Sequence, residues 1–300
     1  MLKRTITGAV IFVLTLAFVL WKQVSGLFFD AFALIIMLAS VYETISAYKK
    51  AKVKSLEIGL YIVPVVLCGL WNLPISSYKI FLLEVLVALV LLLTTLTVEI
   101  VIFAKQRKLG TTEPNAEVLN KSLFNLTKNT MMIFAYPILP LSFLFALNHM
   151  GYEIGYIGIV LIFAVSMLTD TMAYFIGRFC GRHKIIPEVS PNKTVEGVVG
   201  GFIGGIIGAL VCYFVFYYSS LFGVLVDAGK AKSIISFLII GIFGAYANEL
   251  GDLVASALKR KIGIKDYSNL FPGHGGFMDR VDGLMLTTVL TYVILVLFFV

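Results

Sequence analysis

Residues 80–104, IFLLEVLVALVLLLTTLTVEIVIFA, decide the fold class of this chain. Apart from Glu84 and Glu99 the stretch has no charged residue, and it exceeds the roughly 20 apolar residues that a helix needs to cross hydrocarbon about 30 Å thick. Eight further segments have the same character, so the sequence predicts an all-α polytopic membrane protein with about nine transmembrane helices. The nine segments are 5–21, 26–47, 57–73, 80–104, 130–148, 154–177, 196–220, 233–258 and 284–300. Pro137 and Pro140 predict a kink within the fifth segment, because proline removes a helical hydrogen bond.

The composition of the whole chain supports this prediction. Of its 300 residues 59% are hydrophobic and 14% are charged, whereas soluble domains average roughly 45–50% and about 25%. A soluble protein with so few charges would expose large apolar patches. A disordered chain would need low hydrophobicity and high net charge. Both classes are therefore excluded.

The placement of the basic residues predicts the orientation of the helices. All but four of the 24 lysines and arginines fall in the N-terminal tail or in every second loop. Basic loops face the cytoplasm, so we expect a cytoplasmic N-terminus, an outside C-terminus and a location in the cell (inner) membrane. The net charge of +7 follows from these orienting residues, and no nucleic-acid partner is expected.

The two halves of the chain differ in their polar residues. Residues 1–150 are predicted to form about five spans, in which Asp30 and Glu84 have no partner evident from the sequence. Residues 151–300 are predicted to form a catalytic transmembrane domain with two cytoplasmic active-site loops, 178–195 and 259–283. Ionisable residues within spans indicate functional sites, and most of them lie in this second half.

The first of these loops follows Asp170, which lies late in the sixth predicted span. Ser190 and Lys193 lie just before the next helix, where hydroxyls, backbone N–H groups and a lysine can form an anion site. Ordinary orienting charges explain the same residues equally well. The following glycines recur every three or four residues, which favours close helix packing over a phosphate loop. These glycines are Gly197, Gly200, Gly201, Gly204, Gly205 and Gly208.

The second loop belongs to residues 249–282, ELGDLVASALKRKIGIKDYSNLFPGHGGFMDRVD. Its helical part places four polar residues on one face, at i, i+3, i+7 and i+10. They are Glu249, Asp252, Ser256 and Lys259. A mixed-charge loop would explain the lysines and arginines, but it would not explain acids within an apolar helix.

A metal site is predicted from the carboxylates of this stretch. Asp252 and the pair Asp279 and Asp282 flank a glycine-rich turn and can converge on one hard cation. Mg²⁺ fits best, because it takes one or two carboxylates together with substrate phosphates. Zinc fits poorly with one histidine and no nearby cysteine. The nearby basic residues could neutralise phosphate charge. They are Lys259, Arg260, Lys265 and Arg280.

This stretch resembles the signature of the phosphatidate cytidylyltransferase (CDP-diacylglycerol synthase) family. The positions that carry the resemblance are Ser256, Lys259-Arg260, Lys265-Asp266, Pro272, His274-Gly275-Gly276, Asp279-Arg280 and Asp282. Upstream residues from Asp170 to Gly197 are also similar to the family, so the resemblance covers roughly 170–282. Gly283 departs from it, since a serine is expected there.

The resemblance implies that phosphatidic acid and CTP are converted to CDP-diacylglycerol and pyrophosphate, with membrane lipids and a second copy of the chain as further partners. It implies Mg²⁺, together with K⁺, held by Asp252 and Asp279 with Asp282 nearby. The implied catalytic residues are Asp252, Lys259, Asp266 and Asp279. The implied substrate-binding residues are Ser190, Lys193, Ser256, Arg260, Lys265, His274 and Arg280.

Two alternatives remain open at this point. A CTP-dependent polyprenol or dolichol kinase-like enzyme would also be polytopic, but it would need a base for the acceptor hydroxyl. An ion-coupled secondary transporter could use Asp170, Glu249 and Asp252 as ion ligands on broken helices. No internal repeat between the two halves supports the transporter.

Overall fold

The computed structural model describes residues 16–17, 22, 25–108, 125–219, 223–271 and 275–300, and these residues form helices joined by short loops. The described part of the chain contains two isolated β-bridges and no longer strand pairing. In chain order the helices are α1 (Gly26–Lys50), α2 (Glu57–Trp71), α3 (Ser77–Lys108), α4 (Asn125–Ile133), α5 (Leu139–Asn148), α6 (Tyr152–Cys180), α7 (Val195–Tyr218), α8 (Gly223–Asp227), α9 (Lys230–Lys261) and α10 (Met278–Phe299).

The protein is a multi-pass membrane protein, as the sequence predicts. Within the described ranges, seven stretches are long and apolar enough to cross a membrane. They are Gly26–Lys50, Ser77–Ile102, Asn125–Asn148, Tyr152–Cys180, Val195–Tyr218, Lys230–Lys261 and Met278–Phe299. Helix α2 is apolar but has only 15 residues, and segment 5–21 lies mostly outside the described residues. The count of nine spans and the orientation of the termini stay predictions.

The chain divides into two compact units. One unit is Leu34–Ser142, and the other contains the described residues up to Ala33 together with Phe143–Val300. We call the second the site unit, because it contains the candidate functional residues. The division predicted near residue 150 follows the distribution of polar residues and stays a prediction.

The unit Leu34–Ser142 gives partners to two acids of α3. The indole Nε1 of Trp71 donates to Oε1 of Glu84 at 2.8 Å, and both side chains are buried. The carboxylate of Glu99 accepts the backbone N–H groups of Leu126 and Thr127 at the start of α4, at 3.0 and 3.3 Å. Such N–H groups have no partner within their own helix, so Glu99 caps α4 from α3.

The kink predicted in the fifth segment is confirmed. A π-helical turn, Phe134–Ile138, interrupts the helix between α4 and α5, and Tyr136 within it has non-helical φ and ψ angles of −158° and 102°. Pro137 explains the interruption, because a proline lacks the N–H group and clashes with the preceding helical turn.

Glycines hold the helices of the site unit together. A Cβ atom on Gly200 would lie 2.7 Å from Cβ of Ile176 in α6, and one on Gly205 would lie 2.6 Å from the carbonyl oxygen of Gly241 in α9. The glycines of α7 named above are all buried. Small residues let helix backbones approach closely within a membrane, so the prediction of close packing is confirmed.

Asp30 finds its partners within the site unit. Asn148 Nδ2 donates to its Oδ1 at 2.8 Å, and His149 Nε2 lies 2.9 Å from its Oδ2. The carboxylate is buried and is held by hydrogen bonds, as buried charges require. These contacts assign Asp30 to helix packing between α1 and the end of α5.

Candidate active site

A cavity of about 710 Å³ opens in the site unit between α6, α7, α9, α10 and the loop that joins α6 to α7. Its described lining combines charges of both signs. The acidic lining residues are Asp170, Glu249, Asp252, Asp279 and Asp282, and the basic ones are Arg178, Lys184, Lys193 and Arg280. Hydroxyl and amide groups are supplied by Tyr174, Ser190, Asn192 and Thr194. Such a mixture can hold an anionic ligand together with a cation.

The loop 181–194 is folded back onto the start of α7. Its two ends pair through the N–H of Ile185, which donates to the carbonyl of Lys193 at 3.2 Å, and the N–H of Val195, which donates to the carbonyl of His183 at 2.9 Å. The hydroxyl of Thr194 accepts the N–H of Gly197 at 3.1 Å and caps the helix. This pairing fixes the backbone that carries Ser190 and Lys193.

Glu196 fastens the other end of the same loop. Its Oε2 accepts the backbone N–H of Arg182 at 3.1 Å, and its Oε1 lies 2.7 Å from Nδ1 of His183. The carboxylate also lies in the first turn of α7, where negative charge is favourable. A glycine contact brings the loop against α6, since a Cβ on Gly177 would lie 3.1 Å from the hydroxyl oxygen of Thr194.

Lys193 joins this loop to α9. Its Nζ lies 2.7 Å from Oε2 of Glu249 and 2.8 Å from Oδ2 of Asp252, and it donates to the carbonyl of Glu249 at 2.9 Å. All three ammonium donors are therefore used. Burial alone would lower the pKa of Lys193, but the charges of Asp252 and Glu249 outweigh burial and raise that pKa above its ordinary value. The lysine is charged at neutral pH.

Asp170 and Asn248 meet at the wall of the cavity. Asn248 Nδ2 donates to Oδ1 of Asp170 at 2.6 Å, and Asn248 is buried. Behind it lies Gly283, where an added Cβ would come within 2.7 Å of Cγ of Asn248. The glycine that departs from the family pattern therefore leaves room for Asn248. The sequence did not predict this pairing.

Asp279 organises the second loop. Its Oδ1 accepts from Nζ of Lys259 at 2.8 Å, and its Oδ2 accepts the N–H groups of Tyr267 at 2.9 Å and Gly276 at 3.0 Å. Both Asp279 and Lys259 are buried. Gly275 has φ of 76° and lies against the same carboxylate, a backbone conformation that glycine adopts without steric cost. The ion pair of Lys259 and Asp279 therefore holds the backbone of this loop at Tyr267 and at Gly276.

The structure brings together about half of the predicted site residues. Those that line the cavity are Ser190, Lys193, Asp252, Asp279, Arg280 and Asp282. Lys259 reaches the cavity through Asp279. Arg260 donates to the carbonyl oxygens of Val189 and Ile264 at 3.3 and 3.1 Å and joins the two loops.

The other predicted residues either do not line the cavity or lie outside the described residues. Ser256 Oγ lies 3.5 Å from Oδ1 of Asp252. Lys265 and Asp266 are exposed and are not part of the cavity lining. His274 lies outside the described residues. The functional roles of all these residues stay predictions.

Four lining residues were not assigned to the site from the sequence, although they lie in the region from Asp170 to Gly197 that resembles the family. Tyr174 and Arg178 lie four and eight residues after Asp170 in α6, and such spacing places side chains on one helix face. Reading the helical period forward from Asp170 could have found both. Lys184 and Asn192 lie in the predicted active-site loop 178–195, but helical spacing gives no signal for them, because this loop is irregular.

The donor set of the cavity fits Mg²⁺. The described lining contains carboxylate, hydroxyl and amide oxygens but no histidine or cysteine, and Mg²⁺ prefers oxygen ligands. Asp170, Asp252 and Asp282 line the same cavity, so a cation there would relieve repulsion between these carboxylates. Within the described ranges no three acidic, histidine or cysteine side chains form a metal cluster by themselves. Substrate phosphates commonly complete a Mg²⁺ site.

Comparison with known proteins gives relatives in bacteria. A protein of Staphylococcus saprophyticus named phosphatidate cytidylyltransferase is 31% identical over 179 residues, which are 60% of this chain and 64% of the relative. One of Bacillus subtilis with the same name is 38% identical over 130 residues, 43% of this chain and 44% of the relative. The chain thus spans less than two thirds of the length of these curated relatives.

The match to a family is broader than the match to these relatives. The sequence model described as the cytidylyltransferase family matches residues 2–298. This range includes all of the described helices except the last residue of α10, and both loops that border the cavity. The chain belongs to the cytidylyltransferase family.

Proposed function

We propose that this protein transfers CMP from CTP to phosphatidic acid, giving CDP-diacylglycerol and pyrophosphate for phospholipid biosynthesis. The observation that carries the proposal is the cavity in which Lys193 and Asp252 meet beside the basic residues Arg178 and Arg280. Family membership and the names of the relatives support the cytidylyl group as the one transferred. Neither a lipid kinase nor an ion-coupled transporter is favoured by these relatives.

The proposed step is an in-line displacement at the α-phosphorus of CTP. An oxygen of the phosphatidate phosphate forms the new P–O bond, and the bond from the α-phosphorus to the bridging oxygen of the β-phosphate breaks. Pyrophosphate leaves with the bonding electrons. The attacking phosphate is already an anion at neutral pH, so the step needs no general base. Catalysis then consists of positioning and of stabilising negative charge.

The residues of the cavity fit these two tasks. Arg280 and Lys184 supply positive charge for phosphate groups. The loop carrying Ser190 is fixed by Lys193, so it can position a phosphate with little loss of entropy on binding. Lys259 supports Asp279 through their buried ion pair. Arg260, Lys265, Asp266, Ser256 and His274 are proposed to assist from the borders of the site.

Mg²⁺, with K⁺ beside it, is the proposed cofactor. Asp252, Asp279 and Asp282 would hold the divalent ion, which supplies charge neutralisation to the triphosphate when it is bound. The three carboxylates come from α9 and α10 and line the same end of the cavity.

We further propose that the cavity faces the cytoplasm from the inner membrane, and that the protein is a homodimer. The orientation rests on the distribution of lysine and arginine between the loops, and CTP is a cytoplasmic substrate. A cysteine introduced at Lys265 tests the orientation: impermeant reagents added outside whole cells should not label it. Labelling from outside would overturn this proposal.

The activity is tested with purified protein in liposomes that contain phosphatidic acid, to which CTP and Mg²⁺ are added. We expect CDP-diacylglycerol and pyrophosphate to form in equal amounts. A matched preparation of Lys193→Met should form neither. Absence of lipid product across a range of Mg²⁺ and K⁺ concentrations would refute the proposed function.

A further inference from the structure

The last two turns of α6 form one edge of the cavity and carry an arginine–tyrosine pair. Tyr174 and Arg178 both line the cavity. Nη1 of Arg178 donates to the hydroxyl of Tyr174 at 2.6 Å, and the guanidinium carbon lies 5.9 Å from the centroid of the tyrosine ring. The tyrosine thereby fixes the plane of the guanidinium, whose remaining N–H groups can donate hydrogen bonds to a ligand.

The same two turns carry an aromatic pair beside the cavity. The rings of Phe175 and Phe179 are nearly parallel, with an interplanar angle of 5° and centroids 6.3 Å apart. They are 49% and 78% exposed. Because α6 is one of the membrane-spanning helices, large exposed aromatics at its end lie where lipid is available to cover them. One helix end therefore presents a cation toward the cavity and an apolar surface outside it.

Arg178 differs from Lys193 in the charges that surround it. The ammonium of Lys193 is paired with Glu249 and Asp252. Arg178 forms no ion pair with any carboxylate in the described part of the chain. A phosphate can therefore bind Arg178 without displacing an acidic partner. A guanidinium can also bind a phosphate through two parallel hydrogen bonds.

A lipid substrate places a geometric demand on the cavity. Its acyl chains remain in hydrocarbon, because each buried CH₂ contributes about 0.8 kcal/mol to membrane binding. Its phosphate must therefore reach the reacting atoms across an edge that is apolar outside and cationic inside. The end of α6 has both properties, with Phe175 and Phe179 outside and Arg178 inside.

We propose that the Tyr174–Arg178 edge of α6 is the subsite that receives the phosphate monoester of the lipid substrate, with the acyl chains against Phe175 and Phe179. The inference rests on the proposed function for the identity of the lipid. It assigns the lipid phosphate to the α6 end of the cavity and leaves the acidic end, at α9 and α10, for the nucleotide and its cation.

Binding at this edge is tested without nucleotide by fluorescence quenching. The variant Phe179→Trp is placed in nanodiscs that contain brominated phosphatidate, brominated phosphatidylglycerol or brominated phosphatidylcholine at equal mole fraction. We expect brominated phosphatidate to quench the added fluorescence most strongly, and we expect Arg178→Gln in the same background to remove this preference. Equal quenching by phosphatidate and phosphatidylglycerol would overturn the assignment to a phosphate monoester. The matched control is Phe243→Trp, at an exposed position of α9, which should show no preference.

Kinetics provide an independent test of the same edge. Arg178→Gln should raise KM for phosphatidate at least about tenfold, as expected for loss of a hydrogen bond to a charged group, and leave KM for CTP unchanged. Arg178→Lys should retain part of the affinity. The control Arg182→Gln removes the same charge four residues later, outside the cavity lining, and should leave both constants unchanged. An unchanged KM for phosphatidate in Arg178→Gln would overturn the inference.

The two proposals fail in different ways. If the Phe179→Trp protein shows the quenching preference but the wild type makes no CDP-diacylglycerol, the proposed function is wrong and the lipid subsite stands. If the wild type makes CDP-diacylglycerol while Arg178→Gln retains a normal KM and, in the Phe179→Trp background, normal quenching, the subsite is wrong and the proposed function stands.

Discussion

The ammonium of Lys193 lies 2.8 Å from Oδ2 of Asp252 and links the loop after α6 to helix α9. The same ammonium contacts the side chain and the backbone carbonyl of Glu249. Through these contacts one lysine aligns the two chain segments that border the cavity. The proposed reaction depends on this alignment, because a displaced catalytic group can cost a large factor in rate.

Replacing Lys193 by Met should abolish activity and destabilise the protein. The substitution leaves Glu249 buried without its ion pair, and breaking a buried pair costs about 3–5 kcal/mol. Thermal unfolding in detergent, together with the rate of CDP-diacylglycerol formation, measures both effects. Lys261→Met is the matched control, since Lys261 is exposed at the end of α9 and should behave as wild type. Normal stability of Lys193→Met would contradict the role of Lys193 in linking the loop after α6 to α9.

Asp279 and Lys259 should show strong energetic coupling. Asp279→Asn leaves the buried ammonium of Lys259 without a charged partner, so we expect a loss of about 3–5 kcal/mol and of turnover. The double variant with Lys259→Met should regain part of the stability, because neither charge is then buried alone. The melting temperatures of the wild type, the two single variants and the double variant form a double-mutant cycle. Asp227→Asn, at an exposed position, is the control. Additive losses would show that the ion pair does not organise the loop.

A methyl group on Gly205 should disturb the packing of α7 on α9. Its Cβ would lie 2.6 Å from the carbonyl oxygen of Gly241 and 2.7 Å from Cβ of Ala245, and overpacking of this kind costs about 1–3 kcal/mol. Because α9 also carries Asp252, activity should fall together with the melting temperature of Gly205→Ala. Gly69→Ala is the control, since its Cβ would meet nothing within 4 Å. Equal behaviour of the two variants would contradict the close helix contact.

Removal of divalent cations should stop the reaction reversibly. Chelation should abolish product formation, and added Mg²⁺ should restore it. Asp252→Asn should require a higher Mg²⁺ concentration for half-maximal rate, because one carboxylate ligand is lost. Titration with Mn²⁺, followed by electron paramagnetic resonance, measures the binding separately from turnover. Exposed Glu188→Gln should bind Mn²⁺ like wild type, whereas unchanged binding in Asp252→Asn would remove this aspartate from the metal site.

Local patterns in the sequence predicted the features that depend on periodicity and composition. The glycines of α7 recur at helical spacing, and the structure packs them against α6 and α9. Pro137 predicted the interruption between α4 and α5. Acids within apolar segments predicted that Asp170 and Asp252 belong to a functional site, and both line the cavity. Each of these signals arises within one helix.

Contacts between distant segments were not predictable from one sequence. Asp30 is separated from Asn148 by 118 residues and Lys193 from Glu249 by 56, and no local pattern encodes such pairs. Asp279 shows a second limit. The sequence predicts it as a metal carboxylate, which stays a prediction, whereas the structure gives it an ammonium and two backbone N–H groups as partners. Those partners depend on how the loop folds.

The central claim is that the cytidylyl group, and not the terminal phosphate, is transferred to the lipid. It is tested most directly by parallel reactions with phosphatidic acid and CTP labelled at either the α- or the γ-phosphate. We expect the α-label in the lipid product and the γ-label in released pyrophosphate. Lipid that carries the γ-label, or no labelled lipid in either reaction, would contradict this account.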